Sequence, residues 1–297
     1  MSLDEPTAGQ LRREPLPLLG RAALVTGVSR RNGIGYAIAR RLAALGASLF
    51  LQHYSPHDRE QAWGAGPGGV RAVIDGVAEV VATAGGPGDG AGGTSDDAGG
   101  TSDGASLADT ELDLTGAGAP EQLVSAAAAA LGHLDILVCN HALSGDDGPL
   151  GTLDAAMLDH HWAVNTRSSI LLAQAFAAQH DGRPGGRITF MTSGQDLGPM
   201  TDEVAYAASK GALASITRTL ADQLADQGIT LNTVNPGPVD TGYATGETHE
   251  AVRRRFPGGR WGSPDDPARL IAWLATDEAA WITGQVISTE GGFRRAD

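Results

Sequence analysis

The chain has 297 residues; at roughly 100 to 200 residues per domain that is one elaborated domain or two small ones. Its 21 Lys and Arg against 35 Asp and Glu leave a net charge of −14, a field that repels phosphate backbones and anionic lipid, so neither nucleic acid nor a membrane is expected as a partner. Cys139 is the single cysteine, so no intramolecular disulfide forms, and no Cys/His spacing suits a structural zinc site; no metal is expected.

Residues 1–18 are polar, punctuated by Pro15 and Pro17, and lack a sustained period, which predicts a flexible arm ahead of a domain spanning 19–297. No apolar stretch precedes a small-residue cleavage site, and no apolar run reaches the ~18 residues of a membrane span, so a soluble cytoplasmic protein is expected. Strand-like runs follow at 22–26, 48–52, 134–139, 187–192, 230–235 and 285–288, alternating with helix-like segments. Such alternation predicts an α/β fold, a parallel sheet covered by helices on both faces. The first helix is predicted over 33–45, where Ile38, Leu42 and Leu45 share a face and Gly46 supplies the stop. Residues 85–105 contain nothing apolar larger than alanine and repeat GGTSDDA as GGTSDGA over 92–105. They predict a disordered surface insertion, a passive linker ahead of a strand ending at Asp113.

The first strand runs into Thr26-Gly27-Val28-Ser29-Arg30-Arg31-Asn32-Gly33-Ile34-Gly35 and then a helix. Glycines there allow positive φ and close backbone approach, and the free N–H groups at a helix N-terminus favour an anion such as a dinucleotide pyrophosphate. Alone, the glycines also fit a plain strand-to-helix turn; the strand and helix around them favour the phosphate site. A site for NAD would carry a carboxylate at the end of the second strand, about 20 residues on. Here that place holds His53-Tyr54-Ser55, with Arg30 and Arg31 in the loop and Arg59 downstream. Unless those arginines are simply solvated, the pattern suits the extra phosphate of NADP(H).

Of the 21 basic residues only Lys210 is lysine, and it lies four residues after Tyr206. That spacing puts both side chains on one face of a helix. A phenol donates its proton poorly at neutral pH unless a nearby cation favours the phenolate, which a lysine ammonium does.

With these motifs the chain resembles the short-chain dehydrogenase/reductase family from about Leu19 to Gly292, and within it the 3-oxoacyl-carrier-protein reductase group. Asp113, followed by Leu114, matches the family's adenine-contacting Asp; Cys139-Asn140-His141-Ala142 stands at its Asn-Asn-Ala-Gly stretch; Asn165 and Ser193 match its active-site Asn and Ser. Pro236-Gly237 matches its turn after the sixth strand, with Val239 and Thr241 where the family contacts the nicotinamide amide. The resemblance implies a single doubly wound, three-layer α/β/α domain of Rossmann type and hydride transfer between a nicotinamide and a carbonyl or alcohol. It further implies that Tyr206 donates the proton, Ser193 holds the carbonyl oxygen, Lys210 stabilises the phenolate and binds the ribose, and Asn165 positions a relay water. Two departures stand out. Five residues, not three, separate Gly27 from Gly33, a partial likeness to enoyl reductases, although Tyr206, Lys210 and Ser193 fit carbonyl chemistry better. His141 replaces the family's Ala, as a satisfied wall residue or a pH-sensitive substrate contact. Asn140 keeps a cofactor-side role.

The substrate side is expected along Leu197, Met200, Tyr243 and Phe256, with residues 241–256 as a mobile lid. Arg253-Arg254-Arg255 is read as a solvated face, with a dock for an acidic carrier as the alternative. Alternative functions are an alcohol dehydrogenase working oxidatively and a non-catalytic dinucleotide sensor. The resemblance implies a dimer or tetramer built through the helices that hold Asn165 and Tyr206.

Overall fold

The computed structural model describes residues 12–61, 63–84 and 104–295; most of the glycine-rich repeat, and the first eleven residues of the expected arm, lie outside these. The elements run in the order β1 (Ala22–Val25), α1 (Ile34–Ala44), β2 (Ser48–His53), α2 (Ser55–Glu60), α3 (Gly69–Ala84), β3 (Leu107–Glu111), α4 (Ala119–Leu131) and β4 (Ile136–Cys139). The second half follows with α5 (Ala155–His161), a π-helical segment (Trp162–Arg167), α6 (Ser168–Gln179), β5 (Gly186–Met191), α7 (Val204–Ala225), β6 (Ile229–Asn235), α8 (Gly246–Arg254), α9 (Asp265–Leu274) and β7 (Val286–Ser288). The seven strands form one parallel sheet in the order β3-β2-β1-β4-β5-β6-β7. This is the doubly wound α/β sheet the alternation predicts.

Period-2 alternation divides each central strand between two cores. Ala23, Val25, Ile136 and Val138 face a layer with Ile38 and Leu42 of α1, Val73 and Val77 of α3, and Ile271 of α9. Ala22, Leu24, Leu137 and Cys139 face the opposite layer, with Leu123 of α4, Leu172 and Phe176 of α6, and Leu213 of α7. Burial on both faces is why these strands read as unbroken apolar runs rather than alternating ones. Leu18 is buried too, and its N–H donates to the Leu45 carbonyl at 2.9 Å. The packed core therefore takes in Leu18, one residue ahead of the expected boundary at Leu19.

The strand order reverses between β1 and β4, where β1 pairs Leu24 with both Phe50 and Leu137. The connections leaving β1 and β4 diverge to opposite faces at this point, and a crevice opens beyond the carboxyl ends of the strands.

Candidate active site

A cavity of about 360 Å³ occupies that crevice, walled by Gly27, Ser29, Arg30, Gly33, Ile34, Tyr54, Asp113, Leu114, Asn140, His141 and Thr241. The glycine loop is moulded where side chains are excluded. Gly27 sits at φ +71°, and a Cβ on it would lie 2.7 Å from the His141 Cα; one on Gly35 would lie 2.5 Å from the Gly27 carbonyl oxygen. Gly33 caps α1 without a side-chain hydrogen bond, so the first-turn N–H groups remain available to an anion in the cavity. This is a cradle a pyrophosphate fits. Val28 is turned into the core with its N–H on the Gln52 carbonyl at 2.9 Å.

Gln52 is a site residue that the motifs did not single out. Buried near the end of β2, it accepts from the Gly27 N–H at 2.9 Å and donates to the Leu112 carbonyl at 2.7 Å, tying the glycine loop to the segment carrying Asp113. Its signal was slight: one amide directly after the apolar run Leu49-Phe50-Leu51. Of the three residues at the strand end, only Tyr54 reaches the cavity. His53 lies 3.1 Å from Asp109, and Ser55 donates to Glu111 at 3.1 Å. Burial and the nearby Asp113 carboxylate raise the Tyr54 phenol pKa.

The arginines separate. Arg30 is a cavity wall, stacked over Trp63, 3.2 Å from the buried Asp58 carboxylate, and donating to the Thr241 carbonyl at 3.1 Å. Asn32 donates to the same carbonyl at 2.7 Å, so Arg30 and Asn32 strap the glycine turn to the segment after β6. Arg31 points away, over the Tyr36 ring, and Arg59 lies beside Ser55. Asp58 and Trp63 gave no sequence signal, because the inward face of the short helix α2 and of the turn after it shows only in three dimensions.

Deeper in, His141 has every ring nitrogen engaged: Nδ1 is 2.6 Å from the Thr26 hydroxyl, and Nε2 is 2.7 Å from the Ser168 hydroxyl and 3.1 Å from the Val164 carbonyl. Burial, and then the Lys210 charge, push its pKa down to about 3. It is a satisfied, neutral wall residue. Asn140 donates its amide to the Thr26 and Gly27 carbonyls, both at 3.1 Å.

Asn165 is fully buried in the π-helical segment. Its Oδ1 accepts from Leu143 N–H at 2.7 Å, and its Nδ2 donates to the Leu143 carbonyl at 3.2 Å and to Ser209 Oγ at 2.9 Å. Tyr206 and Lys210 share one face of α7. Lys210 is 2 % exposed, with Nζ donating to the Met191 carbonyl at 3.0 Å and lying 5.8 Å from the centre of the Tyr206 ring. Burial lowers the Lys210 pKa to about 8. Tyr206 is pushed up to about 12 by burial and by Glu203, while a hydrogen bond with Ser193 pulls it down. Ser193, Tyr206 and Lys210 are thus brought together: a phenol, a hydroxyl beside it, and a buried cation 5.8 Å from the ring. These three, like Pro236, Gly237 and Val239, stand outside the walls of the β1/β4 cavity. Gly237 holds the turn after β6 at φ +68°, where a Cβ would meet the Glu290 backbone at 2.8 Å.

Leu197 and Tyr243 are half exposed and Met200 partly so, whereas Phe256 is buried against Phe293, with ring centres 5.0 Å apart. Phe256 therefore anchors the segment after α8. Within residues 241–256, expected as a lid, Gly246–Arg254 form α8, none of whose side chains is buried. Arg253 on it is paired with Glu250 at 2.7 Å.

The model of a family described as Enoyl-(Acyl carrier protein) reductase matches residues 97–294. An uncharacterized oxidoreductase of Bacillus subtilis, YjdA, is 40 % identical over 93 % of this chain and 97 % of its own length. The chain belongs to the short-chain dehydrogenase/reductase family. The 3-oxoacyl-[acyl-carrier-protein] reductase FabG of Rickettsia conorii is 30 % identical over 93 % of this chain and 98 % of its own. Among solved structures, a short chain dehydrogenase from Burkholderia cenocepacia in complex with NADP superposes with a TM-score of 0.75 at 32 % identity, covering 93 % of this chain and 98 % of that one. This short-chain dehydrogenase/reductase is an oxidoreductase, and the doubly wound domain is the family's fold.

Proposed function

We propose that this short-chain dehydrogenase/reductase is an NADP(H)-dependent ketoreductase, acting on a small-molecule carbonyl in the manner of the 3-oxoacyl reductases. The observation that carries this is the constellation of Ser193 against Tyr206 with the buried Lys210 one turn on. A bound nicotinamide supplies or takes the hydride. The glycine loop and the first turn of α1 would hold its pyrophosphate and Asp113 and Leu114 its adenine, with Asn140 backing the loop. Ser193 hydrogen-bonds the substrate carbonyl oxygen and orients it. Tyr206 hands its phenolic proton to that oxygen as negative charge develops there, and the Lys210 ammonium stabilises the phenolate left behind.

The preference for NADP(H) is supported by Arg30 in the cavity wall and by a strand end, His53-Tyr54-Ser55, without a carboxylate. The Burkholderia relative carries NADP. A 2′-phosphate would share the Arg30 guanidinium with Asp58, which already faces it at 3.2 Å. The oxidative alcohol dehydrogenase uses the same groups in reverse. The enoyl reductase named by the family model finds less support in a hydroxyl beside the phenol, which suits a carbonyl oxygen.

The test is oxidation of NADPH and of NADH, followed by loss of the reduced-nicotinamide absorbance, against β-keto esters, acyl thioesters, quinones and cyclic ketones. Turnover with NADPH exceeding that with NADH, and falling by about 100-fold or more in Tyr206→Phe, is expected. Equal rates with the two cofactors would remove the NADP(H) preference, and full activity in the variant would remove Tyr206 as proton donor.

A further inference from the structure

The helix that carries Tyr206 begins without a cap of its own. Glu203, at the N-cap of α7, makes no side-chain hydrogen bond to the first turn, so the N–H groups of Val204, Ala205 and Tyr206 need acceptors from elsewhere. All three acceptors come from Asp147 and Gly148, in the loop between β4 and α5. The Gly148 carbonyl accepts from Val204 N–H at 3.4 Å. Asp147 Oδ1 accepts from Ala205 N–H at 3.0 Å, and Oδ2 from Tyr206 N–H at 2.7 Å. Oδ1 also takes the N–H of Gly148 at 2.7 Å.

The Asp147 side chain is only 4 % exposed. A carboxylate is costly in such a place unless its lone pairs are filled, and here three N–H groups and the positive end of a helix fill them. Nearby His161 belongs to the surroundings rather than to the cap: its Nε2 is 3.9 Å from Oδ2, beyond hydrogen-bonding distance, and its Nδ1 faces the Met157 carbonyl at 3.1 Å.

We propose that Asp147 is a positioning residue for the proton transfer: from the β4–α5 loop it fixes the first turn of α7 and so holds the Tyr206 phenol against Ser193. This rests on Tyr206 being the proton donor. A Ser or Thr at the N-cap would tie the turn only to its own preceding loop. Asp147 ties it instead to the loop that begins at the cavity wall, Asn140 to Leu143, which Asn165 grips by the Leu143 main chain. Cavity wall and proton donor thereby share one reference frame, and a shift of about 1 Å at such a site costs up to 100-fold in rate.

The test compares Asp147→Ala, which removes both acceptors, with Asp147→Asn, which keeps one, in the full-length protein. In the Ala variant, hydrogen exchange at the Ala205 and Tyr206 amides is expected to accelerate at least about tenfold. The kcat for carbonyl reduction is expected to fall about 10- to 100-fold while the affinity for NADPH stays within about twofold, and Asn restores part of both losses. Unchanged exchange, or unchanged kcat beside faster exchange, overturns the proposal. Should the Ala variant fail to fold, the Asn variant decides by the same two readouts. Wild-type turnover that Tyr206→Phe leaves intact counts against the proton-donor assignment, and the exchange rates then still tell whether Asp147 fixes the turn.

Discussion

Lys210 is where the proposed function and stability oppose each other most plainly. Its ammonium is buried, with one carbonyl as acceptor, and burial takes its pKa from 10.5 to about 8. Between these two values the unfolded chain binds more protons than the folded one, so stability rises with pH across that window. Below pH 8 the fold carries a constant penalty on the order of 3 kcal/mol. Lys210→Met, with a stem of similar length and no charge, is expected to raise the melting temperature by a few degrees at pH 7, with the gain vanishing towards pH 10.5, where the unfolded lysine also loses its proton. Thermal unfolding at the two pH values measures this. On the proposed mechanism the same shift shapes the activity profile: the Lys210 charge is lost above about pH 8, so the reductive rate is expected to fall on the alkaline side. His141, neutral down to about pH 3, adds no step between pH 5 and 8.

At the scale of elements, the junction of α5 and α6 is a π-helical segment, a distortion that lets Asn165 reach out of the helix to Leu143 and Ser209. Asn165→Ala would leave the Leu143 N–H and carbonyl and the Ser209 hydroxyl without their buried partner, costing about 2 to 4 kcal/mol in chemical denaturation. Because the loop it grips also walls the cavity, cofactor affinity is expected to weaken with it. Asn165 was legible as a candidate active-site residue from its family position. That its amide is spent entirely on protein groups was not, because hydrogen-bond partners 22 and 44 residues away follow from packing and not from local sequence.

For the whole molecule, the exposed apolar side chains among the described residues include tryptophans that a monomer would leave wet. Leu158 and Trp162 are 41 % and 48 % exposed on the helical stretch leading to Asn165, and Trp281 is 99 % exposed near the edge strand β7. Exposed aromatic groups of this kind favour association, and with it the dimer or tetramer that the family resemblance implies. Sedimentation is expected to give a multiple of the chain mass, and Trp162→Glu to lower it; a monomer at all concentrations would leave Trp162 as a solitary surface residue. Among the described residues no helix is long and apolar enough to cross a membrane.

The sequence by itself determined the alternation of strands and helices, the glycine turn at the end of β1 and the pairing of Tyr206 with Lys210. Each is a local matter: apolar periodicity, positive φ and the pitch of a helix act within a few residues. Only the tertiary structure decided which of the candidate groups look at the cavity. It turned Arg30 inward onto Asp58 and Trp63 but Arg31 outward, took His53 away to Asp109, and brought in Gln52, which had looked like an ordinary strand residue. Those outcomes depend on the order in which strands pair and on loops meeting across the sheet. A carboxylate 58 residues from the helix it caps, Asp147 on Ala205, leaves no local pattern because its partners are backbone amides that every residue but proline possesses.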